Sequence, residues 1–91
     1  MGLKLSKEYE YDGKQYKELK LNLEELTGKD MLTAEKEAKL LDPHINVPEL
    51  SKTYLAVLAS RAAQVPVDFV VNLKAKDFSA VTLEVQNFLL E

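Results

Sequence analysis

The chain has 91 residues, 46% of them apolar and 30% charged, which is the balance of one folded domain and excludes a disordered or low-complexity chain. It contains no cysteine, which removes disulfides, thiolate metal sites and cysteine nucleophiles and agrees with a reducing compartment. Twelve basic residues are interleaved among fifteen acidic ones for a net charge of −3, so no basic stripe is available to neutralise phosphates and nucleic acid is not an expected partner.

In chain order, Leu3 to Tyr11 and Gln15 to Leu23 are two alternating segments around Asp12-Gly13, a strong short-range hairpin signal. Two registers compete. A two-residue loop sets Leu5 across from Lys20 and mixes apolar with charged side chains. A three-residue loop, Tyr11 to Gly13 with Gly13 left-handed in a bulge, pairs Leu3 with Leu21 and Leu5 with Leu19. The second is preferred because it gathers Leu3, Leu5, Tyr9, Leu19, Leu21 and Leu23 on one face. Glu8, Glu10, Tyr16 and Lys20 then point to the other, which is wet or open to a partner.

Thr27-Gly28-Lys29-Asp30 supplies two candidate N-cap residues, and Met31, Ala34, Ala38 and Leu41 follow at helical spacing until Asp42-Pro43 stops the helix. Pro43 to Pro48 reads as a rigid loop, because each proline biases the residue before it toward an extended conformation. Pro48 is placed at the start of the next helix. There Leu50, Tyr54, Val57 and Leu58 occupy one side, and Leu55, Ala59 and Ala62 widen the apolar sector to about 200°. Glu49, Lys52, Thr53, Ser60 and Gln64 stay outside it, and this is expected to be the central helix.

Pro66 breaks the central helix and starts a short one containing Phe69, Val70 and Val71. Lys74-Ala75-Lys76-Asp77 separates that from a final amphipathic helix, with Asp77 placed to cap it or to favour its positive end. Phe78, Val81, Val85, Phe88 and Leu89 fall within a stripe about 100° wide, the width of one core-facing side. Leu83 and Leu90, seven residues apart, lie outside that stripe and form a second small ridge. Either this helix is wedged between two elements of its own domain, or the ridge is a seam for another chain. The fold class expected is α+β: one domain over residues 1–91, with an N-terminal hairpin (3–23) and three to four helices (28–91).

Chemistry-bearing constellations are sparse. His44, the single histidine, sits in a loop and would need distant partners for acid–base or metal work. Glu24-Glu25 are adjacent, so their carboxylates point to different sides and read as a solvated turn. Asp42 and Asp77 have no histidine, serine or lysine at motif spacing. Gly2, Gly13 and Gly28 form no phosphate-cradling loop, and Lys29-Asp30 after Gly28 is no nucleotide signature. A helix-turn-helix around Gln64 to Pro66 fails because Phe69, Val70 and Val71 stand where base-reading polar side chains belong. No enzyme, cofactor or metal is expected. No apolar run reaches membrane-spanning length and Met1 to Lys7 lacks a signal-peptide hydrophobic region, so a soluble intracellular protein is expected.

The order of elements and certain residues carry a resemblance. They are the hairpin with Tyr11-Asp12-Gly13-Lys14, the leucine-rich return at Leu19 to Leu23, and the Thr27-Gly28-Lys29-Asp30 helix start followed by Ala34-Glu35. Beyond these come Leu58-Ala59, the Val65-Pro66 break, and the pattern Leu73, Asp77, Phe78, Val85, Phe88-Leu89. In these features, over nearly its whole length, the chain resembles the small tail assembly chaperones of tailed bacteriophages, the group with the Mu-like and P2-like proteins. The resemblance implies a non-catalytic chaperone in the cytoplasm of the host bacterium. It would bind the tape measure protein, keep it soluble while tail tube subunits assemble, and be absent from the finished tail; the tail tube protein is a second implied partner. In that family a longer product often arises by programmed frameshift, which would make this chain the shorter form.

The resemblance fixes no binding motif, so partner-binding residues rest on the physical reading: Leu83 and Leu90 as the ridge, with Phe69 and Tyr54 as anchors if they are not core. An extended helical client can lay apolar residues along such a surface, and many weak contacts along one long client reinforce each other. Self-association is the other use of the same surfaces. Two rival readings stand beside this one, a small structural component of the virion and an intracellular adaptor that adds a strand to its partner. The charged edge Lys4, Ser6, Glu8 and Glu10 counts against the adaptor.

Overall fold

The computed structural model describes residues 2–44 and 51–91. Two antiparallel strands, β1 (Gly2–Tyr11) and β2 (Lys14–Lys20), are followed by a single 3-10 turn (Leu23–Glu25). Four helices then follow: α1 (Gly28–Leu41), α2 (Lys52–Ala63), α3 (Val67–Val71) and α4 (Ala75–Leu90). The α+β architecture expected from the sequence is the one observed.

Helix α2 is central because it is apolar nearly all round: Tyr54 through Ala59, together with Ala62, are buried. Helices α1 and α4 pack on it from separate sides, α3 covers a third, and β2 and the 3-10 turn reach it as well. Ser60, expected outside, is buried too, and its hydroxyl donates to the Val57 carbonyl at 2.7 Å, so the helix itself satisfies the polar group that packing covers. Gln64 ends α2 in a left-handed conformation, and Pro66 starts α3. The α2 N-cap is Ser51, whose hydroxyl accepts from the Tyr54 N–H at 3.0 Å. The proposed start at Pro48, the contributions of Glu49 and Leu50, and the loop from Ile45 onward lie outside the described residues.

In α1 the sequence signals hold. Thr27 and Asp30 form a reciprocal capping box, the Asp30 N–H donating to Thr27 Oγ1 and the Thr27 N–H to Asp30 Oδ2. Ala34 and Ala38 are buried against α2; Leu41 is more than half exposed and does not continue their stripe.

The hairpin register departs from the expected one. Asp12 and Gly13 both have positive φ, 52° and 79°, so the loop has two residues, not three, and Tyr11 pairs with Lys14 and Tyr9 with Tyr16. Toward the open end Leu3 pairs with Leu19, not Leu21, and Lys4 with Glu18. Between these two ladders four residues of β1, Leu5 to Glu8, stand opposite the single residue Lys17 of β2. Next to the turn the two-residue register, set aside above, is the one observed, and the preferred three-residue register holds nowhere; the bulge then shifts the open end away from both. As a result Tyr16, expected on the outer face, packs toward the helices, and so does Leu19 three residues on, which the alternation of a regular strand would forbid. Leu5 is not among the residues packed on the core.

The hairpin is joined to the helices by aromatic contacts on one ring. Phe69 of α3 meets Tyr9, Tyr11 and Tyr16 at centroid distances of 6.4, 5.3 and 4.8 Å, the first two edge-on.

Candidate functional site

Four residues were expected at a partner surface, and the structure separates them into two pairs. Tyr54 and Phe69 are 1% and 3% exposed. Tyr54 is buried in the first turn of α2, and Phe69 holds the three hairpin tyrosines, so both are core residues as the chain stands and neither is presented to a partner. Leu83 and Leu90 are 55% and 76% exposed on α4. Seven residues place them about 10 Å apart along the axis and nearly on one line.

The surroundings of that pair are what distinguish it. From Ser79 to Leu90 the exposed residues of α4 are Ser79, Leu83, Gln86, Asn87 and Leu90, with no charge among them. In α1, by contrast, Lys29, Lys36 and Lys39 stand among the exposed residues. At 3.6 residues per turn the five α4 side chains share one stripe about 100° wide, opposite the side on which Val81 and Val85 are buried. In a chain with 30% charged residues, an outward stripe of leucines and side-chain amides has the composition of an interface centre, where charge is depleted. The amides of Gln86 and Asn87 each both donate and accept, so the stripe can pair with backbone or polar groups of an incoming segment.

What holds α4 in place was not legible as a site. Asp77, in the first turn of α4 and 3% exposed, accepts three hydrogen bonds from β1: from the Ser6 N–H and Ser6 Oγ at 2.8 Å each, and from the Tyr9 hydroxyl at 2.5 Å. The Lys74 N–H in turn donates to the Tyr9 oxygen at 3.1 Å. Of the two roles expected, Asp77 does not cap its own helix but does stand in its first turn, at the positive end; its carboxylate is turned to the irregular part of β1, where the Ser6 N–H has left the strand ladder and needs an acceptor. One signal was available: the N-cap position of α4 is Lys74, which has no side-chain oxygen to complete a capping box with an acid three residues later.

Burial alone would raise the Asp77 carboxyl, but donation from Tyr9 and Ser6 outweighs it and holds the group below the ordinary carboxylate range. That balance suits a domain only 20 Å across its shortest axis, where a covered group is never far from water. Tyr9 is pushed the other way, by burial first and by its bond to the Asp77 carboxylate second. A carboxylate so stabilised is a weak base, and both hydroxyls that touch it act as donors, so the cluster is a clasp and not an activated nucleophile.

A second tie crosses from α1 to α2. Arg61 Nη2 lies 2.8 Å from Asp30 Oδ1, and this guanidinium together with the Thr27 N–H holds the Asp30 carboxyl below its usual range. The pair lines an open cleft of about 640 Å³ with Asn22, Glu37 and Gln64. His44 is exposed, its N–H 3.3 Å from Asp42 Oδ1. Among the described residues no group of three or more His, Asp or Glu side chains is arranged to hold a metal ion, and no helix is long and apolar enough to cross a membrane.

Comparison with known proteins places these features. The family model described as phage tail assembly chaperone proteins, E, or 41 or 14, matches residues 3–90, which takes in the hairpin, the clasp and the whole α4 stripe. No curated protein and no solved structure gives a significant match. With nearly its entire length matched, the chain belongs to the family of phage tail assembly chaperone proteins.

Proposed function

We propose that the protein binds the tape measure protein in the cytoplasm of the host bacterium and keeps it soluble while the tail tube assembles, without catalysing a reaction. The observation that carries this reading is the uncharged, outward stripe of α4 around Leu83 and Leu90 on a chain that belongs to a tail assembly chaperone family. A long client with amphipathic helical segments lays its apolar side along such a stripe, and its backbone and polar groups find the amides of Gln86 and Asn87. Each contact is small, so affinity for the client comes from many copies on one chain. A contact of this kind hides client leucines that would otherwise drive aggregation.

The test is co-expression with the tape measure protein encoded nearby, followed by affinity capture and comparison of client solubility with and without the chaperone. Capture with rescued solubility, both lost in the Leu83→Asp, Leu90→Asp double variant, is the expected outcome. A folded protein that neither captures nor rescues the client, and that remains in purified virions, would assign it instead to the tail structure.

A further inference from the structure

A second surface of α4 is chemically unlike the Leu83 stripe. Between α4 and the 3-10 turn lies a cleft of about 260 Å³ whose apolar lining is Leu21, Leu23 and Phe88. Its charged lining is Glu24, Glu84 and Glu91, and no basic residue joins them. A cavity of about 150 Å³ admits a benzene molecule, so this cleft has room for a leucine side chain.

Elsewhere on the molecule, Leu40 near the end of α1 is 82% exposed, more than any other large apolar residue described. Lys36 lies one turn before it and Lys39 beside it, and the exposed residues of α1 include these lysines and Lys29 but no acid. Glu37, the other residue one turn before Leu40, is only partly exposed and lines the separate cleft with Arg61, so the exposed charges flanking the knob are Lys36 and Lys39, and they complement in sign the glutamates that line the apolar cleft.

From this complementarity we infer that Leu40 of one copy inserts into the Leu21, Leu23 and Phe88 cleft of a second copy, with Lys36 and Lys39 facing Glu24, Glu84 and Glu91. Knob and cleft are on different elements, so the contact is heterologous. Each copy offers a free cleft at one end and a free knob at the other, and association continues into a chain or ring instead of stopping at a dimer. Of the stripe only Asn87 borders the cleft, while Leu83 and Leu90 do not line it, so a row of copies can present a row of leucine ridges. Self-association is a property of this chain alone and stands or falls apart from the client reading.

The experiment is sedimentation velocity on the purified chain from micromolar to about 1 mM, the range in which weak contacts dissociate. The wild type is expected to sediment faster as concentration rises, and less so in high salt, which screens the exposed charges. Lys36→Glu with Lys39→Glu, and separately Glu84→Lys with Glu91→Lys, are each expected to weaken association roughly tenfold or more. An equimolar mixture of the two restores it, because each reversed knob meets a reversed cleft. Leu40→Ser abolishes association both in the wild type and, placed in both partners, in the mixture. A wild type that stays monomeric across the range overturns the inference. So does association that survives both reversals, or two folded reversed variants, checked by circular dichroism, that do not rescue each other.

Discussion

The Tyr9 hydroxyl donates to Asp77 Oδ2 at 2.5 Å across 68 positions of sequence, and through this bond the irregular centre of β1 is fastened to the first turn of α4. The same carboxylate takes both donors of Ser6, so the unpaired stretch of β1 is held by the helix instead of by β2. The clasp also sets where α4 begins, and so where its outward stripe points.

Asp77→Asn is expected to destabilise the fold by about 2 to 3 kcal/mol, since hydrogen bonds to a charged acceptor are worth about 1.5 to 3 kcal/mol and buried donors would be left poorly matched. Tyr9→Phe should cost about 1 kcal/mol more than its lost packing predicts, because the Lys74 N–H loses its acceptor as well. Urea denaturation of the two single variants and the double variant gives the coupling directly; additive costs would show that the bond contributes nothing specific.

The same cluster predicts a two-sided pH dependence. Asp77 has its folded value lowered from 3.8, so its contribution is present above that value and disappears as pH falls through the lower folded one. Tyr9 has its folded value raised from 10.0, so its contribution is present below that value and disappears as pH rises through the higher folded one. Urea midpoints measured against pH should therefore fall at both ends, with a plateau between about pH 5 and 9. Asp77→Asn should flatten the acid side, leaving a residue from Asp30, which shifts in the same direction. An acid limb unchanged by Asp77→Asn would remove this explanation.

Gly13 offers a clean measure of turn chemistry. Its φ is 79° and nothing lies within 4 Å of where a Cβ would stand, so Gly13→Ala meets no clash and loses only backbone freedom. The expected cost is about 1 to 2 kcal/mol, the left-handed penalty of one L-residue. A neutral result in thermal denaturation would mean that the turn relaxes to the three-residue loop.

Substitutions on α4 and in the core should separate function from stability. Leu83→Asp and Leu90→Asp change exposed side chains and are expected to shift stability by no more than about 0.5 kcal/mol each. Phe69→Ala, by contrast, empties the centre of the tyrosine cluster and should cost about 3 to 5 kcal/mol. Calorimetry on the purified variants checks both; marked unfolding by Leu83→Asp would make the stripe structural.

The residues that local physics governs were readable in advance. Thr27 and Asp30 announce a capping box by spacing, Pro66 ends one helix and starts another, and Val81 with Val85 marks the buried side of α4 while leaving Leu83 and Leu90 outside. The hairpin was readable as a hairpin from Asp12-Gly13, yet its register was not. Apolar pairing of Leu5 with Leu19 was a sound local criterion, but it assumed an uninterrupted ladder. A bulge stabilised by a carboxylate on a distant helix has no signature in the strand itself.

Sequence alone thus determined the element order, the central place of α2, the family resemblance and the outward leucines of α4, because each depends on periodicity, capping or composition within a few turns of chain. Only the tertiary structure decided that the Asp77 carboxylate accepts from β1 and does not cap its own helix, that Tyr16 turns inward to Phe69, and that Tyr54 and Phe69 are core. Those outcomes depend on which groups meet across tens of residues, where burial and hydrogen-bond satisfaction are settled jointly and no local pattern records the partner.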